Sequence, residues 1–264
     1  DHMSLAGAAG SLSGNAVLLG KYTQSGTIDI GGNAADTLTA LGLSEAELKT
    51  ISAANINIGS TAFMGTLRVT GALNLSNLPT DGTLQLRSGA DMRIGAALTL
   101  PGNLRVGAAS GIAATAAVQV GETFTLDGGA WSQSAASLPI FAAKNFTIAN
   151  GSFLRVYGGD GTGLTPYRIA DIFGLQGIGS LGMGNHYVLA GDIDASGTVS
   201  WNQNAGFAAI AGGDGAGYAG TFDGAGHVIG GLQINAATSS ATAGVGLFGK
   251  VEGGIVRNVV LQGG

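Results

Sequence analysis

"RVTGALNL" (68–75), "RIGAALTL" (93–100), "QVGETFTL" (119–126) and "IFAAKNFTI" (140–148) are four versions of one pattern. Each is a short strand, a corner of small residues, and a second strand with apolar residues two apart. Their starts lie 25, 26 and 21 residues apart. A third short strand follows each pair: "TLQL" (83–86), "NLRV" (103–106), "GAWS" (129–132) and "FLRV" (153–156). Three strands and three corners in about 21 to 26 residues cannot bury an apolar face alone, but stacked copies can. Side chains alternate along a strand, so Leu73 and Leu75 point one way and Asn74 the other. The same parity groups Leu98 with Leu100, Phe124 with Leu126, and Phe146 with Ile148. At roughly 4.8 Å per rung, Leu73, Leu98, Phe124 and Phe146 are expected to form one apolar wall. The pattern predicts an all-β fold, a right-handed parallel β-helix in the form of a three-sided solenoid. An antiparallel sandwich shares the alternation, but it has no reason to repeat at this interval, and its hairpins favour Asn-Gly.

Composition agrees. The 264 residues include 49 glycines, and corners between short strands need positive φ or close backbone approach. "GAGYAG" (215–220) fits the G-x-G-x-x-G spacing of a dinucleotide loop, yet Gly224, Gly226, Gly230 and Gly231 follow where a helix should open. The same spacing recurs at 177–182 and 244–249, so it reflects glycine abundance, and no cofactor is expected. Charged residues make up only 10%, and the net charge of −5 argues against a nucleic-acid partner. Without cysteine, neither disulfides nor thiolate metal sites are available. No apolar run approaches the length needed to span a bilayer, so membrane insertion is not expected. The opening "DHM" (1–3) reads as a cloning remnant, residues 4–165 as stacked rungs, and 166–264 as a second region that continues them.

Two stretches predict helices. In "LGLSEAELKTI" (41–51), Ser44 is an N-cap, Glu47 its capping-box partner, and Leu43 and Leu48 a hydrophobic staple, giving a short helical insertion at 44–51 that covers or flanks the stack. In "YRIADIFGLQGI" (167–178), a short strand leads into a helix near 170–178 with Ile172, Leu175 and Ile178 on one side.

Leu175-Gln176, "YVLAGDID" (187–194), "GTFDGAGHVI" (220–229), "GLFG" (246–249) and "IVRNVVL" (255–261) together resemble the GLUG-type repeat of large bacterial surface proteins. "LGLSEAELKTISAANINIGS" (41–60) is similar to a segment of filamentous-haemagglutinin-like adhesins. The resemblance touches about half the chain. It implies a secreted, cell-surface adhesin, exported by the two-partner route through an outer-membrane transporter, that attaches to a host-cell or matrix ligand. The family's secretion module and translocator barrel are not evident here, so the chain reads as interior shaft or binding region. No catalytic residues carry over.

Individual residues suggest weaker candidates. "DIDASG" (192–197) matches the first half of an EF-hand loop and makes Asp192 and Asp194 candidate calcium ligands, but position 12 is Gln203 instead of Glu. "GGDGTG" (158–163) and "GGDGAG" (212–217) approach the calcium β-roll repeat, with Gly163 and Gly217 where its liganding Asp belongs. Trp131 and Trp201, flanked by Ser, Gln and Asn, are candidates for stacking on a polysaccharide. A carbohydrate-processing enzyme would need Asp192, Asp194, Asp214, Asp223 and His227 to converge, whereas Asp223 fits better as a cap on turn N–H groups. The expected function is attachment without catalysis, with a polysaccharide-processing enzyme and a passive spacer as the alternatives.

Overall fold

The structure, a computed structural model, describes residues 3–32, 36–235 and 244–263. The chain forms two compact units. The first is Asp1–Ser132 with Pro139–Lys144 and Ile148–Gly151, and the second is Gln133–Leu138, Asn145–Thr147 and Ser152–Gly264.

The first unit is a curled parallel sheet of in-register ladders, a solenoid-like all-β fold. One ladder runs Leu12–Leu19, Ile51–Ser60, Thr83–Ser88, Asn103–Ala108, then into Val118–Ser134. It aligns Val17, Ile56, Leu84, Leu104 and Phe124. A second ladder aligns Ile28, Leu67, Met92, Ile112 and Trp131. A third aligns Leu73, Leu98 and Val118. Ile56, Leu84, Leu104, Leu67, Met92, Ile112, Leu98 and Val118 all have 0% exposure, so the inward positions are the core.

The wall expected from Leu73, Leu98, Phe124 and Phe146 is therefore not the one that forms. Leu73 does pair with Leu98, but the next residue in that ladder is Val118, and Phe124 stands on Leu104 one ladder away. The rung here is 20 residues long. The x-φ-x-φ pattern is the same in every ladder, so when the rung shortens, an alignment by pattern slips to the neighbouring strand.

Corners are tight. At Gly71 a Cβ would sit 1.9 Å from the carbonyl oxygen of Gly31 on the adjacent rung, a contact that only glycine permits.

An excursion between rungs covers the start of the second ladder. Ala40–Leu43 pairs on the outer side of Thr27–Ile30, and a helix, Glu45–Lys49, follows it. Ser44 caps that helix through the capping box, with Ser44 Oγ accepting from Glu47 N (3.2 Å) and Glu47 Oε2 from Ser44 N (2.9 Å). Leu43 and Leu48 are both buried beneath it. Asn77 Nδ2 donates to the Ile51 carbonyl (2.8 Å) and Asn74 N reaches Glu45 Oε2 (3.4 Å). The helix thus lies beside the first strand of the third ladder.

In the second unit the rungs after Tyr187 are longer, about 35 residues. Tyr167, Tyr187, Phe222 and Val256 align in one sheet, and Ile193, Ile229 and Leu261 in another. The expected second helix is Ile172–Gly177, extended by a 3₁₀ turn, Ile178–Ser180, with Ile172, Leu175 and Ile178 buried.

Two predictions follow from the ladders. Leu104→Ala should destabilise the first unit by about 2–5 kcal/mol in denaturant unfolding, because Leu84 and Phe124 hold the space open on both sides. Asp127 binds both Arg87 and Arg105, and the Arg105 guanidinium chiefly holds its carboxyl below the usual value of 3.8. A lowered folded pKa gives stability that is full above the unfolded value and lost as pH falls through the folded one. The stability gap between wild type and Asp127→Asn should therefore be widest near neutrality and narrow as pH falls below 3.8.

Candidate functional site

The polar candidates lie in the second unit, where each strand ends in a corner. Three aspartates do the same local work. Asp160 Oδ1 accepts from Thr162 N (3.0 Å), Asp194 Oδ1 from Ser196 N (2.9 Å), and Asp223 Oδ1 from Ala225 N (2.9 Å). Each closes a turn by capping the amide two residues on. Asp160 also accepts from the Thr165 hydroxyl, which is the main reason its pKa falls to about 2.

Asp192 and Asp223 act between rungs. Asp192 Oδ1 accepts from Val228 N (2.9 Å) and lies 3.2 Å from His227 Nδ1; the amide contributes most to lowering its pKa. Asp223 Oδ1 also accepts from Asn258 Nδ2 (3.0 Å), and Asp223 Oδ2 from Arg257 Nε (2.9 Å). Asp223 thus fastens its own turn and the following rung, as its expected capping role requires.

The candidate calcium ligands Asp192 and Asp194 are both occupied in local hydrogen bonds. They use Oδ1 for different backbone amides, and among the described residues no three His, Cys, Asp or Glu side chains come together. Asp214 stands exposed in the 211–217 loop. A concavity of about 610 Å³ in this unit is lined by Met183, Asn202, Phe207, Ala209, Ile234 and small neighbours, with no acid or base among the described residues that line it.

The tryptophans need correction. Trp131 and Trp201 are each only 1% exposed, so neither offers a face to a pyranose ring. Trp131 occupies an inward ladder position and meets Phe124 (5.2 Å) and Phe141 (5.7 Å) edge to face. Trp201 stacks on Phe173 and touches Phe146, both at 5.3 Å. The amides that suggested sugar contact make a turn: Asn202, Gln203 and Asn204 have φ of 51°, 59° and 66°. Asn202 Nδ2 donates to the Gly206 carbonyl (2.8 Å) and Asn202 N to Asn145 Oδ1 (3.1 Å).

Over 126 residues, 46% of its length, the chain is 33% identical to halomucin of Haloquadratum walsbyi. It spans about 1% of that protein's length. No family model matches the chain, and no solved structure matches it.

Sequence reasoning missed the buried polar centre of this unit. Arg155, 5% exposed, donates from Nε to Asp171 Oδ2 (2.7 Å) and from Nη1 to Gln133 Oε1 (2.8 Å). Asp171 also N-caps Ile172–Gly177 through Gly174 N (2.9 Å). The cap was legible in "ADIFG", but nothing in "FLRV" marks its arginine as buried.

Asp223→Ala should lower the stability of the second unit by about 1–2 kcal/mol. Asp223→Asn, which keeps an acceptor for the turn and loses the ion pair with Arg257, should fall between. Thermal melts of the three proteins check the order.

Proposed function

We propose that this chain is a segment of an extracellular surface protein, a right-handed three-sided β-helix that acts as shaft and as attachment segment. Three ladders visited in turn support three sides, and the strong right-handed bias of parallel crossovers supports the hand. The similarity to a stretch of halomucin, a mucin by name, supports an extracellular place.

The observation that carries the reading is the division between inner and outer faces. Inward positions hold the large apolar residues, while outward positions repeat small and polar ones rung after rung. Asn55, Thr83 and Asn103 form one such column, and Asn57, Gln85, Arg105 and Thr125 another. Columns spaced at about 4.8 Å present equivalent hydrogen-bonding groups in series. With both indoles buried, contact with a surface or matrix polysaccharide would be by hydrogen bonding instead of ring stacking. Each contact is weak, and repetition adds them by avidity.

The passive spacer is the second reading, favoured by the same burial of Trp131 and Trp201. Beads bearing the chain at graded density separate the two, applied to a panel of immobilised glycans and matrix components. Attachment should rise steeply with density while the free chain shows none. Beads that adhere no better than blanks at every density would leave only the spacer.

A further inference from the structure

One outward column of the second ladder carries more positive charge than its neighbours neutralise. Asp29, Arg68 and Arg93 stand in register there, followed by Ala113 and Ser132. Rungs are about 4.8 Å apart, so the two arginines oppose each other directly, a placement that like charges disfavour. Asp29, 7% exposed, accepts from Arg68 Nη2 at 3.4 Å and from the Thr70 hydroxyl. Arg93 is exposed, and among the described residues it has no hydrogen bond or ion pair. The unit's other arginine pair is different: Arg87 and Arg105 both reach Asp127.

Beside Arg93 lies a groove of about 200 Å³. A step from long to short side chains makes it. Arg93 is followed on the next two rungs by Ala113 and Ser132, and Gly111 and Ala130 keep the adjoining column equally low. Asp91 heads that second column, and its Oδ1 accepts from Gly111 N at 3.5 Å. The groove thus has a guanidinium and a carboxylate at its head and a floor of small residues. Among the described residues no aromatic ring lines it.

We infer that this groove binds one unit of an acidic polysaccharide, a sugar that carries a carboxylate or a sulfate ester. Arg93, with Arg68 one rung away, takes the anionic group in charge-assisted hydrogen bonds. Asp91 accepts from a ring hydroxyl, and the low floor admits the ring. An anion beside the two arginines also relieves their repulsion, so binding does not work against folding. Sites that enclose a whole small molecule begin at roughly 300 Å³. At about 200 Å³ the groove takes a single ring while the rest of the polymer passes outside. A nucleic acid fits less well, because its phosphates would meet Asp91 and the chain's net charge of −5. The inference rests on the attachment reading and gives it a ligand class and a place.

The test is an NMR titration of the 264-residue chain with three soluble tetrasaccharides: a tetragalacturonate, the same tetramer with its carboxylates reduced to alcohols, and a sulfated form of that neutral tetramer. Amide shifts should move at 91–93, 111–113 and 130–132 with the uronate, the sulfated sugar or both, and the neutral tetramer should leave them in place. The two anionic arms distinguish carboxylate from sulfate. Arg93→Gln should weaken binding by about tenfold or more without lowering the melting temperature, since it removes an exposed, unpaired charge. Arg93→Lys, which keeps the charge and loses the fork, should fall between. Asp91→Asn should weaken the saccharide and strengthen inorganic sulfate, which has no hydroxyl to give. No shift with either anionic tetramer would overturn the inference, as would equal binding by a short DNA duplex. Beads that adhere to glycans equally well with Arg93→Gln would also overturn it while leaving attachment intact. Beads that never adhere would remove the attachment reading, and the titration would still judge the groove.

Discussion

In a parallel stack, each strand is hydrogen-bonded to the strand one rung before and one rung after. That pairing fixes the height of every side chain, so an inward residue always meets its counterparts. Ile56, Leu84, Leu104 and Phe124 are held this way. Differences in rung length must then be absorbed at corners. In the first unit they enter 70–82, where Asn77 ties the slack back to the Ile51 carbonyl. In the second unit they enter 195–217, which holds the 3₁₀ turn Ser196–Ser200 and the left-handed turn after Trp201. The ladders stay regular because the corners do not.

Register also accounts for the scarcity of charge. Equivalent positions on successive rungs stand directly over one another, where like charges repel. Arg68 is in register with Arg93, and Asp29 flanks Arg68 on the other side. Arg87 and Arg105 share Asp127. In the second unit Asp160, Asp171, Asp192, Asp194 and Asp223 cap a turn or a helix or link rungs. Apart from Arg93, these charged residues find a partner on the neighbouring rung or in their own turn, and neutral polar or small residues fill many of the other outward sites.

What was legible in the sequence followed from local rules. The period, the alternation and the capping box of Ser44 and Glu47 depend on neighbours a few residues away, and so does the turn-capping role of Asp223. The assignment of Phe124 to a wall was not legible, because all ladders share one pattern and the rung shortens before it. Trp131 shows the same limit from another side. Its parity with Met92 and Ile112 marks it as inward once the register is known, whereas its polar neighbours alone suggest a surface. The partners of Arg155 lie on separate segments, and only the fold brings Gln133 and Asp171 to it.

The same physics explains why a contact surface would be harder to read than the architecture. Inward positions are constrained by packing on both sides, so their identity records the fold. Outward positions such as Asn55, Asn57 and Gln85 face solvent on one side, and most residues there change stability little. Their identities are free to record a ligand, or nothing. A surface that works by many equivalent weak contacts would also leave no concentrated cluster to find, because no single rung has to bind well by itself. A stack of this kind therefore keeps its folding information on the inward face of its strands and leaves the outward face free to carry other contacts.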